Sequence, residues 1–373
     1  MTWVLDETKN MLRDSAQSFL RERAPVSQLR ALRDRADPLG HDPALWQAFA
    51  EQGYCATLIP EAHGGLGLGV AEAGLIAEEM GHTLAAAPYL STAVLCAWLL
   101  ARAGSPAQQS AWLPRIAAGQ AVLALAVDEQ ARHRPDALAT QAVTANGQWR
   151  VDGAKCLVVD GHVADALIVA ARAPQGVVLL LVPADAAGLT VERTTMVDAH
   201  NAARVRLEGV QVPASALIGE PQADGALLHA VLDVGRVMVA AEMLGVADEA
   251  FTRTLQYLKE RRQFDQLIGE FQALQHRAAE LWCDLELTRA IVRQAQQELD
   301  QGSATAALRV AQAKARAALT VNRAVQEAVQ MHGGIGMTDE LEIGFFMKRA
   351  RVLQALFGDT AFHLDRAALL CGY

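Results

Sequence analysis

Apolar residues change their spacing twice along this chain, and those two changes constrain its fold more than any single residue does. From Asp6 to about Gly119 they recur at helical intervals, as in Met11, Ala16, Phe19 and Leu20, and again in Leu75, Ile76 and Met80. The middle of the chain holds short apolar runs instead: Val122 to Val127, Trp149 to Asp152, Cys156 to Val159, Ala166 to Val169 and Val177 to Val182. Turn-forming pairs at Asn146-Gly147, Asp152-Gly153 and Asp160-Gly161, with Pro183, punctuate these runs, which is the pattern of strands ending near Pro213. Helical spacing returns after Leu227 in four long stretches, Leu232 to Tyr257, Phe271 to Leu299, Ala304 to Met331 and Glu342 to Leu356, rich in Ala, Leu, Arg and Gln. The predicted architecture is therefore α+β and multidomain. An N-terminal all-α domain covers residues 1–120, a central β domain 121–215, and a C-terminal four-helix bundle 226–373.

Length and composition agree with several cores in one chain, since 373 residues exceed one usual core and 52% are hydrophobic. Charged residues make up 20% and the net charge is −9, so no basic excess points to nucleic acid. Five cysteines, Cys55, Cys96, Cys156, Cys283 and Cys371, are scattered without metal-ligand spacing, which predicts reduced thiols in a cytoplasmic protein and no metal. The first residues carry acid early and lack an apolar signal core. No run of about 20 apolar residues predicts a membrane span.

Three segments carry the chemistry. Glycines 333, 334 and 336 interrupt a helical, Ala-rich stretch after Gln330, and glycine permits backbone angles and close approaches that a side chain blocks. Upstream lie Tyr257 to Phe264, containing Arg261, Gln263 and Phe264, and Gly269 to His276. Arg261 alone reads as a solvated charge at a helix end. With the other two segments it reads as an anion ligand, because a guanidinium grips pyrophosphate oxygens in pairs and Phe264 offers a flat face.

Together these segments resemble the acyl-CoA dehydrogenases, flavin enzymes that desaturate the Cα–Cβ bond of an acyl-CoA thioester. The resemblance extends to Ile59 through Leu68 and Glu78 through Gly81 in the first domain and implies a barrel-like middle domain. It implies FAD, held across a subunit boundary by residues at the places of Arg261 and Phe264, with Gly333 and Gly334 approaching its adenosine half. Gln263 and Gln330 join that cofactor set. Arg236 is assigned to substrate binding, and an electron-transfer flavoprotein is the implied electron acceptor.

Desaturation needs a base for the α-proton and an acceptor for the β-hydride, and only a cofactor can take the hydride. The family's base is a glutamate in a Tyr-Glu-Gly-Thr turn. Counted from the glycine pair, this chain has Phe357 there, followed by Gly358 and Asp359. A second family position, a glutamate preceding a helix arginine, holds Gly235 before Arg236. The remaining candidate bases are Asp359 and Glu242. Each has a structural alternative, a helix N-cap for Asp359 and an ion pair to a bundle arginine for Glu242. His332 and His363 read as packed or exposed polar residues.

The middle domain departs as well: residues 126–135 lack the family's Thr-Glu-Pro-x-Ala-Gly-Ser-Asp-like loop, and Val159 has no hydroxyl to meet a flavin. A retained cofactor set beside a missing base matches members that work as α2β2 tetramers on steroids and other bulky ring compounds, where one chain type supplies the base. A self-sufficient homo-oligomer with a relocated carboxylate, and a structural partner without flavin, are the alternatives.

Overall fold

The computed structural model describes residues 5–373. Among the described residues six α-helices come first: α1 (Glu7–Arg23), α2 (Val26–Asp34), α3 (Pro43–Glu51), α4 (Val70–Thr83), α5 (Ala97–Ala103) and α6 (Pro106–Ala117). Their starts follow local chemistry. Asp6 caps α1 by accepting from Lys9 N, Asp42 caps α3 ahead of Pro43, and Ser105 and Gln108 form a reciprocal capping box on α6.

Eight strands follow: β1 (Leu123–Ala126), β2 (Gln141–Ala145), β3 (Gln148–Val159), β4 (Ala166–Ala173), β5 (Gly176–Pro183), β6 (Leu189–Thr195), β7 (Asn201–Pro213) and β8 (Leu217–Gln222). They pair in the order β6-β7-β3-β2-β4-β5-β8, with β1 parallel to β4. The Asn146-Gly147 pair makes the two-residue turn between β2 and β3, both residues at positive φ (53° and 75°). Asp152-Gly153 is not a turn. β3 runs through it with a shift of register against β7, so two predicted runs are one strand. One more strand, β8, follows Pro213.

The helices return as α7 (Ala226–Glu260), then a small hairpin of β9 (Arg262–Gln263) and β10 (Gln266–Leu267), then α8 (Gln272–Asp300), α9 (Ala306–His332), α10 (Ile343–Ala355) and α11 (Thr360–Leu370). Among the described residues no helix is long and apolar enough to cross a membrane.

The chain forms two compact units. One takes Met1–Ala31, Val70–Ala85 and Arg236–Tyr373; the other takes Leu32–Gly69 and Ala86–Gly235. In the first, α9 packs against α8, α10 and α11, and α4 lies against α1 and α8. Gly81 and Gly245 let α4 and α7 touch backbone to backbone: a Cβ on Gly245 would sit 1.9 Å from the Glu78 carbonyl oxygen, and one on Gly81 2.2 Å from that of Glu242. Glu78 binds Arg289 at 2.5 Å and Arg293 at 2.6 Å, so the Glu78 to Gly81 segment serves helix packing. In the second unit, inward residues including Trp149, Val151, Leu167, Val169, Leu180, Val205 and Val212 make a dry core within the sheet.

Candidate functional site

The ends of α7 and α9 bring two of the predicted segments together. Arg261 follows the last turn of α7, its amide bonding Tyr257 O at 2.9 Å, and the chain then enters the β9–β10 hairpin. Phe264 sits at the hairpin tip with φ +55°, followed by Asp265 at +61°. A left-handed aromatic is costly, and here the ring is 85% exposed, touching Phe271 edge-on at 6.2 Å. Arg261 and Gln263 are exposed too, and the Arg261 guanidinium has no partner among the described residues. Gln330 is exposed in the last turn of α9, which ends at Gly333 with φ +65°. A Cβ added at Gly333 or Gly334 would meet nothing within 4 Å. The link between the segments is His332, 5% exposed, whose ring lies 4.4 Å from that of Tyr257 while Nδ1 bonds Ala328 O at 2.7 Å.

The turn between α10 and α11 is built in the opposite way, closed, with several of its carbonyls taken by buried side chains. Phe357 is buried at φ +57° and Gly358 stands at +107°. Arg236 donates from Nε to Phe357 O at 3.3 Å and lies over the Phe362 ring at 5.4 Å, with no exposed surface. The substrate-binding assignment of Arg236 thus falls on a side chain that is buried and bonded to the turn. Asp359 is the N-cap of α11, its Oδ1 accepting from Phe362 N at 2.9 Å, with the side chain exposed. Glu242 meets Arg349 of α10 through one carboxylate oxygen, 2.6 Å from both Nε and Nη2. Both candidate bases therefore occupy the structural roles set against them in the sequence. His363 is wholly buried, its Nε2 3.1 Å from Phe357 O, and burial beside Lys314, Arg236 and Arg366 drives its pKa far down.

Sequence reasoning missed Lys314. It lies in an Ala-rich turn of α9 that reads as an exposed helix, yet it is completely buried and donates from Nζ to Leu353 O at 3.0 Å, Gln354 O at 3.2 Å and Gly358 O at 3.0 Å. It also missed a pair in the sheet unit. Lys155, 2% exposed, reaches Glu129 Oε1 at 2.7 Å and Val127 O at 3.1 Å, while Glu129 accepts from Ala139 N at 2.6 Å and Thr140 N at 2.9 Å. Burial would raise the Glu129 pKa, but Lys155, Thr140 and Ala139 together hold it at about 2. These bonds pin residues 127–140, where the family's serine-containing loop is lacking. Just beyond Lys155, β3 bulges and Leu157 takes φ +52°. The only sequence signal for either lysine was a charge inside an apolar run.

A polar cleft of about 500 Å³ in the bundle unit is lined by Glu78, Glu79, His82, Asp248, Arg289 and Arg293 among others, and none of the predicted site residues borders it. Burial works against the charged form of His82, but Asp248 and Glu79 outweigh it and raise its pKa to about 10. No cluster of His, Cys, Asp and Glu suited to a metal ion occurs among the described residues.

Three family models cover almost the whole chain: the acyl-CoA dehydrogenase N-terminal domain over residues 6–120, the middle domain over 124–210 and the C-terminal domain over 225–369. The chain belongs to the acyl-CoA dehydrogenase family. Acyl-CoA dehydrogenases are flavoprotein oxidoreductases acting on the CH–CH bond of an acyl-CoA. The dehydrogenase FadE27 of Mycobacterium tuberculosis is 32% identical over 327 residues, covering 86% of each chain. A variant of the Tcur3481–Tcur3483 steroid dehydrogenase superposes with a TM-score of 0.90 at 31% identity, over 98% of both chains. The ChsE4–ChsE5 complex of Mycobacterium tuberculosis gives a TM-score of 0.92 at 27% identity over the full length of both.

For this acyl-CoA dehydrogenase the donor set fits the family's flavin. An unpartnered guanidinium, an exposed aromatic ring and two glycines facing open space are what an anionic, partly flat ligand needs from one edge of a site.

Proposed function

We propose that this chain is the FAD-holding subunit of a heteromeric acyl-CoA dehydrogenase in which a related chain supplies the base. The observation that carries this reading is the contrast between its two ends. Arg261, Gln263, Phe264, Gln330, Gly333 and Gly334 stand open toward a ligand, whereas the turn after α10 presents Phe357 and both nearby carboxylates are committed, Asp359 to a cap and Glu242 to Arg349.

In this reading Arg261 holds the pyrophosphate, Phe264 packs on the cofactor, Gln263 and Gln330 offer amide groups, and the glycine pair admits the adenosine half. FAD, when bound, supplies the acceptor for the β-hydride. Phe357 takes no proton; it excludes water from its surroundings and leaves the α-proton to the partner chain. The steroid dehydrogenase and the two-protein complex among the similar structures support a bulky ring acyl group and a second, related chain; α2β2 assembly, cytoplasmic action and onward transfer of electrons to an electron-transfer flavoprotein complete the proposal.

The test is purification of the chain alone and with its genomic neighbour, followed by visible spectrum, flavin ratio, oligomer mass and turnover of a steroid acyl-CoA. A mixed oligomer that alone is yellow and active supports the proposal. A homo-oligomer with stoichiometric flavin and full turnover overturns it in favour of a self-sufficient enzyme. A mixed oligomer that never holds flavin at this edge leaves a structural subunit.

A further inference from the structure

The end of α10 accounts for its carbonyl groups in an unusual way. A helix leaves its last carbonyls without intrahelical donors, and the partial negative charge there favours a cation. After α10, Leu356 N returns to Val352 O at 3.1 Å and Gly358 N to Ala355 O at 3.3 Å. The carbonyls of Leu353 and Gln354 are taken by the Lys314 ammonium, which also takes Gly358 O, across the turn. The carbonyl between them in this arrangement, that of Phe357, is met by Arg236 and by His363. Three N–H donors on one fully buried nitrogen thus meet three acceptors from both sides of a turn whose central residue is a left-handed phenylalanine.

We propose that Lys314 is a proton-dependent positioning residue that holds the turn between α10 and α11, and with it Phe357, in place. An ammonium has three hydrogens for its three carbonyls; a neutral amine has two, so loss of one proton releases one anchor. Burial, with Arg236 nearby, pushes the Lys314 pKa down to about 7. Asp359 acts in the opposite sense, and the three carbonyls favour the charged form as well. The charged and titratable groups around it are Arg236 from α7, Asp359 from the turn and His363 from α11, itself beside Arg366. His363 stays neutral through this range, so Lys314 is the group that changes. The proposal rests on the preceding functional reading only in placing this turn beside the acyl-CoA site.

Hydrogen exchange followed by mass spectrometry tests it on the purified assembly. The readout is the protection factor of peptides covering 353–363, corrected for intrinsic exchange, from pH 6 to pH 9 in the unaltered protein and in Lys314→Met. The expected result is protection that falls by about tenfold with rising pH in the unaltered protein, and protection that is already low and independent of pH in the variant. Peptides from α8 keep their protection in both. Protection that is flat from pH 6 to pH 9 in the unaltered protein, or equal in the two proteins, overturns the proposal. If Lys314→Met fails to fold, the pH profile of the unaltered protein decides alone. The flavin spectrum of the same sample reports separately: a colourless assembly with the expected exchange pattern keeps the Lys314 assignment and sinks the flavin reading.

Discussion

The rings of Tyr257 and His332 lie 4.4 Å apart at 31°, tying the end of α7 that carries Arg261 to the end of α9 that carries Gly333. Two motifs separated by a long helical hairpin thereby become one edge. Tyr257→Ala is expected to lower flavin content severalfold and to destabilise the bundle by about 1 kcal/mol, while Tyr257→Phe keeps both near normal. Flavin absorbance per chain and urea denaturation check this. Full flavin content in Tyr257→Ala would mean that the contact does not align the two segments.

The glycines separate into two kinds, and alanine substitution tells them apart. Gly245→Ala would place a methyl 1.9 Å from the Glu78 carbonyl oxygen, so α4 and α7 must part, at a cost of about 3 kcal/mol or more. Gly334→Ala meets open space, and its stability is expected to stay within about 0.5 kcal/mol of normal. Flavin binding should nevertheless weaken in Gly334→Ala, because the methyl enters the open space that the proposed function gives to the cofactor. Normal flavin affinity in that variant counts against the assigned edge.

The two carboxylates considered as bases should respond as structural groups. Asp359→Ala removes the cap on α11, an expected loss of about 1 kcal/mol. Glu242→Gln removes the Glu242 charge beside Arg349 in a site where both side chains are about one-tenth exposed, an expected loss of about 3 kcal/mol. In the proposed mixed oligomer neither change should reduce turnover per folded enzyme by more than about twofold. A loss of several hundredfold in either variant, with flavin retained, would restore that residue as the base.

Acid should weaken the sheet unit through Glu129. Its pKa is about 2 when folded against an ordinary value of 4.5, so its stabilising contribution is full above pH 4.5 and is lost as pH falls toward 2. The stability difference between the unaltered protein and Glu129→Gln should therefore be constant near neutrality and shrink below pH 4.5. Denaturation midpoints measured from pH 7 to pH 3 give the comparison. A difference that stays constant throughout would mean that Lys155 does not hold Glu129 in its charged form.

Much of the fold was legible because side-chain spacing is a local property. The switch from helical to strand spacing near Val122 and back near Leu227 follows from which residues must face a core, and Asn146-Gly147 announced its turn by its own backbone preference. Asp152-Gly153 misled for a physical reason: a glycine that turns a chain also permits a bulge, and only pairing with β7 chooses between them. The glycine pair, Arg261, Phe264 and Phe357, on which the resemblance was argued, are likewise local, readable one residue at a time.

Partner choice was not legible, since it depends on how helices dock. Glu242 and Arg349 are 107 residues apart, and Lys314 reaches a carbonyl 44 residues further along. A carboxylate in an apolar helix is compatible with a base, a bridge or a subunit seam until a guanidinium arrives beside it. A lysine among alanines looks solvated until three carbonyls surround it. The sequence by itself determined the order of elements and the family resemblance, with a phenylalanine at the place where that resemblance puts the base, because these are written in residue type and spacing. Only the tertiary structure decided that Asp359 caps, Glu242 pairs, Arg236 turns inward and Lys314 holds the α10–α11 turn, because a buried polar group takes its role from the partner that replaces water around it.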